Sequence, residues 1–261
     1  KRPHRYNKMT ESSFSQHPPV QEQKRKADWR LSSHIEIRLL WVGIFIFVSC
    51  IFLIGYADPS VATYVKTVDR KVYRFFKIIT GLGNSGIYLI PFGMLCIILQ
   101  LLSVIPGLQP KKRYVMKVYY SFLFIFSSIA ISGVITNIFK FLFGRARPPL
   151  LFKDNYYGFA FFEFSSDMLS FPSGHANTIF ALATALFFLL PKGWLFYFSV
   201  AVLVGASRIF TGNHYPSDVI AGSYLAVLTT LYIKQYFVFK KIDIFVKLRY
   251  TVQEEQKKEL R

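Results

Sequence analysis

Six stretches of this chain are apolar enough to suit a bilayer, where a spanning helix takes about 20 mostly apolar residues. Residues 39–57 form an uncharged run of 19, and residues 87–106 an uncharged run of 20. Residues 118–139 add 22 more, closed by Lys140. The run at 176–190 is only 15 long, but Pro172 to His175 ahead of it completes a span. Residues 194–207 continue to Phe210 across Arg208, and residues 219–239 contain one charge, Lys234. Only Pro191-Lys192-Gly193 separates the fourth run from the fifth, which predicts a helical hairpin. The expected fold is all-α, a polytopic membrane protein with a six-transmembrane-helix bundle.

Between the first two spans the pattern changes. Val61, Tyr64, Val65, Val68, Val72, Phe75, Phe76 and Ile79 recur at helical spacing among Lys66, Arg70, Lys71, Arg74 and Lys77. This predicts an amphipathic helix over residues 60–80, either lying in the outer interface or simply connecting two spans. Residues 1–34 are polar and read as a disordered cytoplasmic tail, unlike a cleavable signal peptide. Residues 35–240 then form the membrane domain and 241–261 a charged cytoplasmic tail.

Composition agrees with the spans. Apolar residues make up 52% of the 261, and charged residues 18%, where about 25% is usual for a soluble domain. The net charge of +18 could suit a nucleic-acid partner, but the apolar content does not, so nucleic acid is excluded as a partner. Six spans put both termini on one side, which holds 22 of the 32 Lys and Arg against 8 of the 14 acids. The positive-inside rule makes that side cytoplasmic. The loops after spans one, three and five then face the periplasm or an equivalent space, and the chain is assigned to the plasma (inner) membrane. Cys50 and Cys96 fall inside apolar runs and read as small hydrophobes.

Ionisable groups at membrane depth are costly and mark function. Here they gather at one face. Lys140, Arg145 and Arg147 end the third span, Pro172-Ser173-Gly174-His175 opens the fourth, and Arg208 with His214 and Asp218 bracket the turn into the sixth. Lys140, Arg147 and Arg208 together call for an anion, and guanidinium forks match phosphate oxygens. Ser173 and Gly174 begin a helix, whose free N–H groups bind anions. Asp218, four residues after His214, can fix that imidazole as an activated nucleophile. His175 has no such neighbour in sequence and suits a general acid. Arg145 is an additional candidate for substrate contact, and Asn137 for a hydrogen bond to Lys140. Asp154, Glu163 and Asp167 read as solvated or structural. Two histidines and a carboxylate also match a metal triad, but the crowd of cations opposes one, and neither metal nor cofactor is expected.

Lys140-x6-Arg147-Pro148, Pro172-Ser173-Gly174-His175 and Ser207-Arg208-x5-His214-x3-Asp218 resemble, in order and spacing, the three-part signature of the type 2 phosphatidic acid phosphatase superfamily. The resemblance implies a metal-independent phosphatase with a phosphohistidine intermediate. It makes His214 the nucleophile, Asp218 its partner and His175 the leaving-group acid. Lys140, Arg147, Arg208, Ser173 and Gly174 would hold the phosphoryl group.

The loop 148–171 adds Phe152, Tyr156, Tyr157, Phe159, Phe161, Phe162, Phe164 and Phe171, an aromatic density suited to the headgroup region. A lipid phosphate or diphosphate in the bilayer is therefore the expected substrate, and no obligate protein partner is indicated. The phrasing of the motifs is similar to bacterial members acting on lipid A, phosphatidylglycerol phosphate or undecaprenyl diphosphate. A lipid phosphotransferase with the same intermediate is the competing enzyme class. A non-catalytic phosphate or lipid transporter is the competing non-enzyme, though no inverted repeat is visible.

Overall fold

The computed structural model describes residues 37–105, 112–242 and 244. The N-terminal tail, with Lys24-Arg25-Lys26, and residues 243 and 245–261 of the C-terminal one lie outside these residues. The chain divides into two compact units, Lys1–Ile44 and Phe45–Arg261. Of the first unit, residues 37–44 are described, and they are helical.

Helix α1 covers residues 37–52 and widens into a π-helical turn at Leu53–Ala57 before α2, Asp58–Lys66. The widening sits directly before Pro59, which has no N–H to give to the preceding turn. The predicted helix over 60–80 is in fact two. The chain breaks at Thr67 to Asp69, and the Asp69 side chain accepts from the Lys71 N–H at 2.6 Å, capping α3, Arg70–Ile79. An N-cap carboxylate satisfies the free donors of a new helix better than it would sit in the middle of an old one. A short 3-10 turn, Thr80–Gly83, leads to α4, Gly86–Leu102.

Helix α5, Lys112–Phe143, has 32 residues and ends in the Lys140 turn. A short α6, Pro148–Lys153, and an irregular aromatic loop lead to α7, Gly174–Leu189. Pro191–Gly193 makes the tight turn into α8, Trp194–Phe210, as the sequence predicts, and α9 is Pro216–Phe239. Four helical stretches among the described residues are long and apolar enough to cross a membrane: Ile37–Lys66, Arg70–Leu102, Lys112–Phe143 and Pro191–Phe210. Helix α7 is equally apolar but shorter, at 16 residues. Helix α9 has the length, 24 residues, but Thr229, Thr230, Lys234 and Gln235 dilute its apolar character.

Helices α5, α7 and α9 pack together, with α8 against α7 and α4 against α5. Phe124, Ile125 and Ile129 of α5 meet Ala181 and Ala185 of α7 and Ala226 and Ile233 of α9. The alanines let the helix backbones approach closely, which is how helices associate where no hydrophobic effect separates them from lipid. Asn177 joins all three helices. It accepts from Ser132 Oγ at 2.9 Å and donates to the Gly222 carbonyl at 3.4 Å. By contrast, Phe45, Phe47, Ile90, Ile97, Phe196 and Val202 are exposed. A soluble protein rarely leaves so much apolar surface open, whereas acyl chains would cover it. Cys50 and Cys96 are both buried and free.

Candidate active site

The site is assembled where α5, α7 and α8 end or begin on one side of the bundle. Lys140 is buried in the last turn of α5, and its Nζ donates to the Leu169 carbonyl at 2.7 Å. The chain then turns at Gly144, whose φ is +52°. A Cβ there would lie 2.1 Å from the Ala160 carbonyl oxygen, so only glycine fits. The turn allows residues 144–146 to pair with the aromatic loop, through Ala160 N to Gly144 O at 2.8 Å and Ala146 N to Gly158 O at 3.0 Å. Arg147 follows and donates from Nε to the Ser166 carbonyl at 2.8 Å and from Nη2 to that of Leu169 at 3.3 Å. The Leu169 carbonyl thus holds two of the predicted phosphate-binding cations.

Ser173 caps α7 with extended backbone and its N–H donates to the Asp218 carbonyl at 2.9 Å, tying the start of α7 to α9. The Ser173 hydroxyl and the Arg208 Nε are buried without a hydrogen-bond partner. A buried polar atom without a partner is costly, and both lie in segments that would meet an anion. Arg208 donates from Nη1 to Thr80 Oγ1. The backbone then folds back so that His214 N donates to the Arg208 carbonyl at 3.2 Å.

These elements enclose a cavity of about 470 Å³ lined by Lys140, Arg147, Gly174, His175, Arg208 and His214, together with Gly83, Asn84, Thr136 and Asn137. Three cations, two imidazoles and a helix N-terminus therefore share one space. Among the described residues no carboxylate lines it. Gly83 closes the cavity against His175, where an added Cβ would come within 2.7 Å of the His175 Cβ. Asn137, expected to bond Lys140, lines the wall, while Lys140 is bonded to the Leu169 carbonyl instead. Among the described residues no group of His, Cys, Asp and Glu is arranged to hold a metal ion.

Behind His214 stands a second, fully buried layer. His214 Nδ1 lies 3.5 Å from both Asp218 Oδ2 and Ser170 Oγ. Ser170 Oγ donates to Asp218 Oδ2 at 2.6 Å, and the Tyr215 N–H donates to the same oxygen at 2.9 Å. Burial, with Lys140 and Arg147 nearby, pushes His214 down to about 3 against the upward pull of Asp218. Its imidazole is thus neutral at pH 7. With Nδ1 facing the carboxylate, Nε2 is the nitrogen left for the cavity.

Arg145, which the sequence suggests as an additional phosphate contact, is not in the cavity. It is wholly buried and donates from Nη1 to Asp218 Oδ1 and from Nη2 to Asp58 Oδ2 at 2.8 Å and Tyr157 Oη at 2.8 Å. The two carboxylates hold its guanidinium above even the usual arginine range, against the cost of burial. Asp58 also accepts from the Ser217 N–H at 3.2 Å and from its hydroxyl. Sequence reasoning missed Asp58, although an acid closing a 19-residue apolar run is itself a signal of a buried partner. Ser170, Thr80 and Gly83 carried no such signal, since their contacts come from distant parts of the chain.

The model of the PAP2 superfamily matches residues 121–242. The lipid A 1-phosphatase of Rhizobium johnstonii is 30% identical over 178 residues, covering 66% of this chain and 70% of that protein. The undecaprenyl-diphosphatase of Sulfolobus acidocaldarius is 34% identical over 96 residues, covering 36% of this chain and 45% of its own. The crystal structure of the transmembrane PAP2 type phosphatidylglycerolphosphate phosphatase from Bacillus subtilis superposes with a TM-score of 0.57 at 20% identity. That superposition covers 79% of this chain and 98% of the other, and it supports the fold. The chain belongs to the PAP2 superfamily, a family of membrane lipid phosphatases.

Proposed function

We propose that the protein hydrolyses a lipid phosphate or diphosphate at the non-cytoplasmic membrane face through a phosphohistidine. The observation that carries this is the cavity itself: Lys140, Arg147 and Arg208 with no carboxylate on its walls among the described residues, His175 and His214 on those walls, and Asp218 behind His214. In this reading the three cations, the Ser173 hydroxyl and the Gly174 N–H hold the phosphoryl oxygens. His214 Nε2 attacks phosphorus while the bond to the lipid oxygen breaks, and His175 protonates that oxygen. Asp218 stabilises the imidazolium-like charge that develops. Water then attacks the P–N bond and gives its proton to His175, which releases phosphate and restores His214. Such fixed charges aimed at a transferring phosphoryl group are the largest catalytic contribution available here. No step needs a metal.

The substrate class rests on the curated relatives, named a lipid A 1-phosphatase and an undecaprenyl-diphosphatase. In this topology six spans are formed by α1 with α2, then α4, α5, α7, α8 and α9, with both termini cytoplasmic in the plasma membrane. Residues 35–240 are the catalytic domain and 1–34 and 241–261 its tails.

Purified protein screened against lipid phosphates should release inorganic phosphate. That release should be sensitive to vanadate and resistant to chelators, and His214→Ala should abolish it. Full activity in that variant would sink the mechanism. Transfer of labelled phosphate to a second lipid without net release would favour the phosphotransferase instead.

A further inference from the structure

A second cavity, of about 540 Å³, is lined by α2, the start of α3, α6 and the turn after α8. It is distinct from the catalytic one but shares two chain segments with it. Arg147 lines the catalytic cavity and Pro149 the second; Arg208 and His214 line the first and Phe210 to Gly212 the second. Three cations, Lys66, Arg70 and Lys153, stand among apolar walls that include Val65, Phe152 and Phe210. All three cations are exposed, and among the described residues none is paired with an acid. Lys66 Nζ lies 4.4 Å from the Phe152 ring centroid, which places a positive charge against an apolar surface rather than a carboxylate.

The rim continues the same chemistry. Helix α3 presents Arg70, Lys71, Arg74 and Lys77 beside the exposed Val72, Phe75 and Ile78. A basic amphipathic helix of this kind is drawn to anionic lipid surfaces. A small free anion would satisfy the cations but leave the apolar walls bare. A nucleic acid would gain nothing from them either. Both halves of the cavity are matched by one occupant, an amphiphile with a negative head.

We propose that this cavity binds an acidic phospholipid of the bilayer, its headgroup at Lys66, Arg70 and Lys153 and its chain along Val65, Phe152 and Phe210. The site needs the chain to sit in a membrane but does not depend on the catalytic reading.

The test is a titration of full-length protein, in phosphatidylcholine nanodiscs, with spin-labelled phosphatidylglycerol, read as bound label. No turnover is required, so failure of the phosphatase reading would leave the result intact. K66Q/R70Q/K153Q should weaken binding by roughly a hundredfold. The charge-keeping K66R/R70K/K153R should restore it, and K140Q/R208Q, in the catalytic cavity, should leave it unchanged. Equal binding by K66Q/R70Q/K153Q and the parent would overturn the proposal. So would loss of binding in K140Q/R208Q alone, which puts the lipid in the catalytic cavity, or failure of the charge-keeping variant to recover it.

Discussion

Arg145 and Arg147 stand two residues apart in one loop and occupy opposite electrostatic worlds. Arg145 is fully buried between Asp58 and Asp218, with Tyr157 and Ser217 as further partners of its terminal nitrogens and Nε left without one. Arg147 borders the cavity, and among the described residues the hydrogen-bond partners of its side chain are the carbonyl oxygens of Ser166 and Leu169. Burial pushes its guanidinium below the ordinary arginine value, with Asp218 and Asp167 opposing. The first arrangement has its charge balanced without a ligand, by two carboxylates. The second is a set of cations with no carboxylate on the cavity wall among the described residues, an arrangement that an anion would complete, and on the proposed reading that anion is phosphate. Removing a partner should therefore damage stability behind His214 and activity in front of it.

The largest effect should come from His214→Ala, with phosphate release falling on the order of 10⁴-fold and the thermal unfolding midpoint little changed. Next is Arg145→Ala, which leaves two carboxylates buried and unpaired. It should cost about 3–5 kcal/mol of stability in a denaturation series. Arg147→Gln should do the reverse, lowering kcat/KM by about 10²–10³-fold with stability preserved. If both arginine variants lost stability equally, the division between the two layers would be wrong.

Asp58→Asn sharpens the comparison further. It keeps the shape but removes one of the charges around Arg145, and should cost about 1–3 kcal/mol. Asp58 is absent from the lining of the catalytic cavity and bonds Arg145 and Ser217, so a role in catalysis would be one of positioning. Its signature is a shifted acid limb in the pH profile of kcat, because Arg145, less shared, would pull harder on Asp218. An unmoved profile would make Asp58 purely structural.

The smallest effect concerns protons. His214 is held below its unfolded value of 6.5, so between there and about 3 the unfolded chain binds more protons. Stability is full above pH 6.5 and falls as pH drops through this window. At about pH 5 the parent should have lost about 2 kcal/mol more than His214→Gln, relative to neutral pH. Paired unfolding curves at the two pH values would show it.

Much of this is legible in the sequence. The Pro191–Gly193 hairpin and the helix start at Gly174 follow from apolar run length and cap chemistry, which are local properties, whereas the last helix begins at Pro216, ahead of the apolar run at 219–239. The gathering of Lys140, Arg147, Gly174, His175, Arg208 and His214 is expected from the parity of the six apolar runs, and the structure does bring these six residues to one cavity. Local signals are less dependable where tertiary contacts compete. The apolar periodicity over 60–80 runs unbroken through Thr67 to Asp69, yet Asp69 caps a new helix there, and α3 turns to stack Phe76 on Phe210 with ring centroids 4.4 Å apart.

Arg145 is the clearest boundary between the two kinds of knowledge. Its position and charge stand in the sequence, and they placed it beside the phosphate. Its partner Asp58 lies 87 residues earlier and reaches it only when the turn before α2 is packed against α9. Charge, hydrophobicity and spacing determined that this chain spans a membrane and gathers cations, because each acts over a few neighbouring residues. Only the tertiary structure decided which cation is neutralised and which is left open to an anion, because that depends on what the distant chain brings within hydrogen-bond reach.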